Sequence, residues 1–482
     1  MKQTAIIVTD GALLYDGDNA VPCNAQTVLQ KVMRNDRAII YCFDYETIAE
    51  TVEQLVMRLP SSDGRSDGIQ TSYNINTHFY SAKIILGKHV CVIRDMRNIY
   101  RDDTIEDLAD IYGGYTECET LYNTALTLAA HGMDGNTISS MAMRDYIGND
   151  YKGFKERFPA LDSETYKRMR SAYFGAYVDA IPGEYGECVS YDVNSLYPYV
   201  LSHMRMPYGV PQWVEGEAKT DGNQCAITLC TFAAELKDDG LPMLTDAVRL
   251  FGYDNRAPNT CGYITRAITD VDMQLLYDNY NVSMAEIHGS WIFDTSLGLF
   301  DDYVNTWYAK KKTSNKRNRR IAKLMLNSLV GKFGTAVNRP ILRLQCDDDG
   351  ELRYVPETAD AAHSLSYMPV AAYVNAHARR ILLDAIHDNH ERFIYADTDG
   401  IILQGTERPV GIDVNQTKIG AWKNDHTYRR LRILAPRRYC GEDVSGETVM
   451  RLSGVPKPDI IPYDDFVRGA RHRDGNGNVF VL

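Results

Sequence analysis

Two aspartates separated by one residue, Asp397 and Asp399 in FIYADTDGIIL (393–403), stand between two runs of strongly apolar side chains. Carboxylates at i and i+2 repel each other, and in poorly hydrated surroundings one of them takes a proton unless a cation neutralises both. The stretch therefore asks for a metal. Mg²⁺ prefers a few carboxylates together with phosphate oxygens and water, and a pair of such ions can clamp the attacking and leaving oxygens of a phosphoryl transfer. A third acid, Asp192 in CVSYDVNSLYPYV (188–200), ends a β-prone run, and Pro198 suits the first turn of a following helix. That places Asp192 at the carboxyl end of a strand, where its side chain can enter a cleft, with Tyr197 above the same cleft.

These acids need a rigid base. Arg392–Ala396 and Gly400–Leu403 read as two strands joined through Asp397, Thr398 and Asp399, a hairpin with Gly400 at its tip. Cationic chemistry is concentrated elsewhere: AKKKTSNKRNRRIAK (309–323) carries eight basic side chains and no acid. Across RNRRIAKLMLNSLVGKFG (317–334) the spacing predicts a helix. Lys316, Arg320, Lys323, Asn327 and Gly331 would share one stripe, and Ile321, Leu324, Met325 and Leu329 would face inward. Cations on successive turns repel, and a polyphosphate would relieve that repulsion. Gly331 weakens the helix, which makes sense if something flat passes close to the backbone. Each motif alone also fits a plain role: a turn-capping acid, a solvated basic helix, an acidic turn. Their joint occurrence favours chemistry.

At 482 residues the chain exceeds what one hydrophobic core supports, so several domains are expected. With 44% hydrophobic and 24% charged residues it resembles an ordinary globular protein. The net charge of −12 argues weakly against a nucleic-acid partner, but local distribution decides what a cleft holds. Ten cysteines contain no CxxC pair, so neither a zinc site nor a small disulfide scaffold is suggested, and mostly buried reduced thiols are expected. No apolar run reaches the roughly 18 residues of a membrane span, and the first residues lack the apolar stretch of a signal peptide, so an intracellular protein is expected. The first part alternates strand-like runs (TAIIVTD, RAIIYCF, KHVCVIRD) with helix-like ones (AQTVLQKVMRN, ETIAETVEQLVMRL, TIEDLADIYG), as in an α/β domain. Residues 120–180 read as mainly helical, 336–366 as turn-rich, and AAYVNAHARRILLDAIHD as a helix.

YDVNSLYP, KLMLNSLVGKFG and YADTDG, in this order, resemble motifs A, B and C of family B DNA polymerases. The intervals, 135 residues from Asp192 to Asn327 and 70 from Asn327 to Asp397, resemble the protein-primed subgroup of small phages. RMRSAYFGAY resembles its YxGG segment, RMPYGVP follows motif A as in that group, and PRRYC resembles its KxY element. The resemblance implies an α+β multi-domain fold: a right-hand polymerase of palm, fingers and thumb behind an N-terminal RNase H-like, exonuclease-type α/β domain. It implies a shortened exonuclease-like domain over 1–130, palm over 131–203 and 368–453, insertions over 204–300 and 336–367, fingers over 301–335 and a short thumb over 454–482.

The resemblance also implies site residues. Asp192, Asp397 and Asp399 would be catalytic, with Asp192, Val193 and Asp397 at two Mg²⁺ ions for which Mn²⁺ can substitute. Tyr197 would be the gate against a ribose 2′-OH, while Lys311, Arg319, Lys323 and Asn327 would bind the nucleotide. Tyr173, Gly175, Gly331, Arg437 and Tyr439 would contact DNA. The implied partners are primer-template DNA, dNTPs and a terminal priming protein, with no membrane, in the cytoplasm of a host that carries a virus or mobile element. A DNA- or RNA-primed or primer-independent polymerase is the alternative, and a non-catalytic replication scaffold a more distant one.

Three departures from the pattern matter. Val330 stands where motif B has Tyr, which removes a stacking surface; Ala176 replaces a Gly of YxGG; and Arg437 replaces the Lys of KxY. In the N-terminal region Asp10 is followed by Ala12 where the exonuclease DxE signature has Glu, IIYCFDYETI lacks NxxxFD, and YxxxD appears as Tyr115 with Glu119. An exonuclease needs its own carboxylate cluster. The domain is therefore expected to keep the fold without proofreading.

Overall fold

The computed structural model describes residues 4–74, 79–101, 103–244, 259–313, 315–337, 340–358, 365–455, 459–474 and 477–482. Parts of the two expected insertions, 245–258 and 359–364, lie outside the described residues. The fold is α+β, in two compact units: residues 1–149 with 305–366, and residues 150–304 with 367–482. No helix among the described residues is long and apolar enough to cross a membrane.

In the first unit the Val- and Ile-rich runs become the centre of a nine-stranded sheet. Ala5–Thr9 lies parallel to Arg37–Cys42, which lies parallel to His89–Asp95. The crossover helix Ala25–Arg34 starts with a capping box between Asn24 and Thr27, and Tyr45–Arg58 starts on the Asp44 side chain. Their apolar faces bury Val28, Val32, Val52 and Leu55 against Ile7, Ile40 and Ile93 of the strands.

The region expected to be turn-rich is instead a hairpin. Pro340–Cys346 and Leu352–Thr358 pair with each other, and the first joins the sheet beside Gly68–Asn74. Leu344 enters the sheet's core, its N–H donates to Thr71 Oγ1 (2.7 Å), and Arg343 donates to the Thr71 carbonyl (2.7 Å). The acidic run CDDDGE (346–351) closes it: Asp347 Oδ1 accepts from the amides of Asp349 and Glu351.

The basic helix runs over Lys316–Phe333, capped by Asn315, with Ile321, Met325, Leu329 and Phe333 buried. It packs on the helix Ile138–Ile147, where the rings of Tyr146 and Phe333 meet edge to face. The break expected at 130/131 thus falls inside this unit, because the apolar face of Ile138–Ile147 is covered here.

The second unit is built on an eight-stranded sheet. Its order is Thr448–Leu452, Arg438–Asp443, Trp422–Ala435, Cys188–Val193, Gly400–Gln404, Phe393–Asp397 and Val178–Ala180, with Gly183–Tyr185 pairing onto Trp422–Ala435. A four-stranded antiparallel sheet formed by Met206–Val214, Tyr280–Ser296, Gln224–Leu236 and Ile264–Thr269 lies within 204–300, the stretch expected to be the first insertion. The helix Met368–Asp388 touches strands of both sheets and is buried along most of its length. Residues of the expected short thumb, Ile461, Phe466 and Leu482, pack against Leu434, Cys440 and Leu452 of the sheet's edge. Each such side chain contributes about 1.5–3 kcal/mol when fully buried, enough to hold a segment with few strands of its own.

Candidate active site

Three adjacent strands of the eight-stranded sheet bring the aspartates together. Gly400 pairs with Asp192 on one side and with Asp397 on the other. A Cβ at Gly400 would lie 2.5 Å from Asp192 Oδ1, so glycine makes room for that carboxylate. Gly400 is therefore the first residue of a strand and not the hairpin tip that the sequence suggested. The tip is Thr398 and Asp399. Thr398 has φ +60°, and the Asp399 amide donates to the Asp397 carbonyl at 2.7 Å, a γ-turn geometry that a β-branched residue rarely adopts.

That strain is held by neighbours. The Thr398 amide donates to the Tyr177 carbonyl (2.8 Å), Thr398 Oγ1 to Asp397 Oδ1 (2.9 Å), and the Val193 amide to the Asp399 carbonyl (2.7 Å). Among the described residues, the non-glycine positions with positive φ are Ser195 (55°), Thr398 (60°) and Arg437 (59°). Ser195 starts the helix Leu196–His203 three residues after Asp192, and Arg437 reaches Asp397 from a neighbouring hairpin. Each costs about 1–3 kcal/mol, and such costs collect where a site must be held in a particular shape.

Arg437 grips Asp397 in a two-pronged ion pair, Nε to Oδ2 and Nη2 to Oδ1, both 3.0 Å. Lys423 Nζ lies 3.3 Å from Asp192 Oδ2 and 2.7 Å from Asp425 Oδ1. Asp399 differs: burial first, and then the charges of Asp192 and Asp397, push its carboxyl up to about 7 against the pull of Lys423. The upward push expected of one acid in the pair is thus found at Asp399. The Tyr197 hydroxyl is pushed up to about 12, first by burial and then by Tyr173, with Asp399 and Asp397 adding to the rise and Arg379 opposing it.

The segment with Tyr173 and Gly175 is fastened from below. Arg379, fully buried, forms a two-pronged pair with fully buried Asp272 (2.9 and 2.7 Å) and donates to the carbonyls of Phe174 (3.0 Å) and Gly175 (2.8 Å). Its guanidinium lies 3.7 Å from the Phe174 ring centre, and Asn375 Nδ2 donates to the same Phe174 carbonyl. Tyr439 sets its ring edge against Tyr395. Sequence reasoning missed Arg379, Asp272, Lys423 and Asp425. Arg379 left one trace, a cation inside the otherwise apolar face of AAYVNAHARRILL.

In the other unit, Arg319, Lys323, Asn327 and Gly331 are exposed at four-residue intervals on one face of Lys316–Phe333. Arg320, expected on this stripe, turns instead to an ion pair with Asp103 and is three-quarters buried. Lys311 lies over the Tyr308 ring, and Val330 is buried inside the helix's apolar face. Asp10 follows the strand Ala5–Thr9, and its Oδ1 accepts from the amides of Ala12 (3.0 Å) and Leu13 (2.9 Å). Its charge, after burial, also helps push the Cys118 thiol up to about 12. Tyr115 is fully exposed, and Glu119 accepts from the Tyr115 amide at 2.9 Å.

Among the described residues no three His, Cys, Asp or Glu side chains form a ready metal cage. At Asp192 and Asp397 the donors are carboxylate oxygens whose charge is already balanced by a lysine and an arginine. Carboxylate oxygens are the donor type that a hard divalent ion such as Mg²⁺ prefers.

Residues 116–417 match the profile of DNA polymerase type B, organellar and viral. The chain is 30% identical over 318 residues to the DNA polymerase of Bacillus phage Nf, a match covering 64% of this chain and 55% of that protein. It is 31% identical over 330 residues to the DNA polymerase of Bacillus phage phi29, again covering 64% and 55%. The chain thus spans about half the length of the curated relatives it matches. A solved structure of phi29 DNA polymerase with primer-template DNA and incoming nucleotide superimposes with a TM-score of 0.80 at 22% identity, covering 96% of this chain and 92% of that one. That likeness shows the fold, a right-hand polymerase of mixed helices and sheets. The profile covers well over half of the sequence and contains all three aspartates, so the chain belongs to the type B DNA polymerase family, organellar and viral.

Proposed function

We propose that this chain is a DNA-directed DNA polymerase that extends a primer by two-metal nucleotidyl transfer and begins synthesis on the hydroxyl of a terminal protein at the end of a linear viral or plasmid genome. The observation that carries the reading is the convergence of Asp192, Asp397 and Asp399 around Gly400, held by three strained residues.

Asp192 and Asp397 would be the metal ligands, with the Val193 carbonyl beside them. A pair of divalent ions, when bound, would neutralise the phosphates and make the primer 3′-OH easier to ionise. The 3′-oxygen then forms a bond to the α-phosphorus of the nucleotide, the α–β phosphate bond breaks, and pyrophosphate leaves while the hydroxyl proton passes to solvent. Asp399 adds charge that burial keeps weak until a cation arrives. Tyr197, within electrostatic reach of the acids, supplies the flat surface against which a ribose 2′-OH would clash. The exposed Arg319, Lys323 and Asn327 keep the nucleotide-binding roles, with Lys311, and Gly331 the DNA-contacting role that the resemblance implies. Tyr173, Gly175, Arg437 and Tyr439 keep the roles of DNA contacts.

For the N-terminal unit we propose the exonuclease-type fold without proofreading. Asp10 is engaged by the amides of its own loop, and Glu119 by the Tyr115 backbone, which supports that reading. The test of the whole is labelled dNTP with Mg²⁺ and two substrates: a primed template, and the products of neighbouring reading frames. Extension of the primer supports the polymerase, and covalent labelling of one protein supports protein priming. No incorporation on either substrate sinks the assignment.

A further inference from the structure

Lys423 is absent from every motif above, yet it lies directly across from Asp192 in the register of Trp422–Ala435 against Cys188–Val193. On the other flank of Asp192 stands Gly400, which has no side chain to offer. Lys423 thus fixes the carboxylate from one side. Its ammonium has a second acid, Asp425, two residues along the same strand, and is closer to it (2.7 Å) than to Asp192 (3.3 Å). His426 Nε2 lies 3.6 Å from the other oxygen of Asp425.

A divalent ion approaching Asp192 meets a resident cation. If the lysine had no other partner, displacing it would leave a half-buried ammonium uncompensated, a cost of the kind that makes broken ion pairs expensive. Here the lysine already touches Asp425, so displacement needs no unpaired intermediate.

Resting on the reading of Asp192 as a metal ligand, we propose that Lys423 is a positioning residue that holds Asp192 while the site is free of metal, and that Asp425 is the carboxylate onto which the ammonium withdraws when a divalent cation takes Asp192. The pair sets how tightly the metal binds. Asp425 acts on the metal through Lys423 and has little effect of its own.

The test is Mn²⁺ binding to the full chain without nucleotide, read from the electron paramagnetic resonance signal of free Mn²⁺, for wild type, Asp192→Asn, Lys423→Met, Asp425→Asn and the double variant Lys423→Met/Asp425→Asn. Lys423→Met should tighten binding and Asp425→Asn weaken it, each about three- to tenfold, as expected for one partly buried charge near a divalent ion. In the Lys423→Met background Asp425→Asn should change nothing, because the cation it restrains is gone. An equal weakening by Asp425→Asn in both backgrounds would mean a plain through-space charge effect and overturns the proposal, as does unchanged binding in Lys423→Met. If Asp192→Asn leaves Mn²⁺ binding intact, the metal-ligand reading itself fails, and the inference with it.

Discussion

Asp192 and Asp10 begin alike, each an acid at the end of a β-strand with a turn behind it, and end differently. Asp192 shares its strand pairing with Gly400, and that pairing delivers Asp397 and Asp399 from the neighbouring hairpin. Asp10 spends one oxygen on the amides of Ala12 and Leu13, two and three residues on. In the first region the backbone is strained and the carboxylates are held by cations drawn from other strands; in the second the acid satisfies its own loop. A strand-end acid is thus not enough for metal chemistry. It needs a second carboxylate fixed by sheet register and a reason not to cap its own turn.

The comparison breaks most readily at the acids themselves. Asp397→Ala should lower single-nucleotide incorporation at least about a thousandfold, roughly 4 kcal/mol of barrier, whereas Asp10→Ala should change it by less than about twofold. The same proteins incubated with 5′-labelled single-stranded DNA and Mg²⁺ complete the measurement. Metal-dependent shortening that Asp10→Ala abolishes would make the N-terminal unit a working nuclease and erase the contrast.

Glycines sharpen it next. A Cβ at Gly400 meets the end of a side chain, Asp192 Oδ1, while a Cβ at Gly11 meets the Thr47 carbonyl at 2.5 Å, and Gly11 has φ +95°. Gly400→Ala should therefore push the carboxylate aside and cost activity, about tenfold or more, with a small change in the urea unfolding midpoint. Gly11→Ala should cost stability, about 1–3 kcal/mol, and spare incorporation. A pair of variants that both lose only stability would show that Gly400 serves the sheet and not the site.

Much of this was legible in the sequence because it rests on local pattern. The strands TAIIVTD, RAIIYCF and KHVCVIRD, the helix Lys316–Phe333 and the strands around Asp397 follow from apolar periodicity, which survives folding unchanged. What failed depended on pairing between distant segments. The hairpin Pro340–Thr358 looked like a turn because its acids are conspicuous and its strand partner, Gly68–Asn74, is more than 260 residues away. Arg320 left its stripe because Asp103, on no shared element, lay in reach. Lys423 is an unremarkable lysine until sheet register sets it opposite Asp192.

The smallest expected effect concerns protons and separates the two regions by what relieves them. Asp399, near 3.8 when unfolded, is pushed up to about 7 in the folded chain, first by burial and then by Asp192 and Asp397. Between about pH 4 and 7 the folded chain keeps a proton that the unfolded chain has released, so this group's contribution to stability is complete below pH 4 and is lost as pH rises towards 7. Beside Asp10, Glu117 is raised in the same direction, by burial and by the charges of Asp10 and Glu106. Its slope has the same sign. The two should part when Mg²⁺ is added: cations at Asp192 and Asp397 cancel the repulsion on Asp399 and flatten its share of the slope, while the share of Glu117 persists. In urea titrations across pH 4–8, Asp399→Asn should flatten the metal-free slope and make it insensitive to Mg²⁺, and Glu117→Gln should flatten it by the same amount with or without the ion. Equal relief of both slopes by Mg²⁺ would mean that the acids around Asp10 also gather a metal, and the difference between the two strand ends would then lie in the ion's affinity and not in its presence.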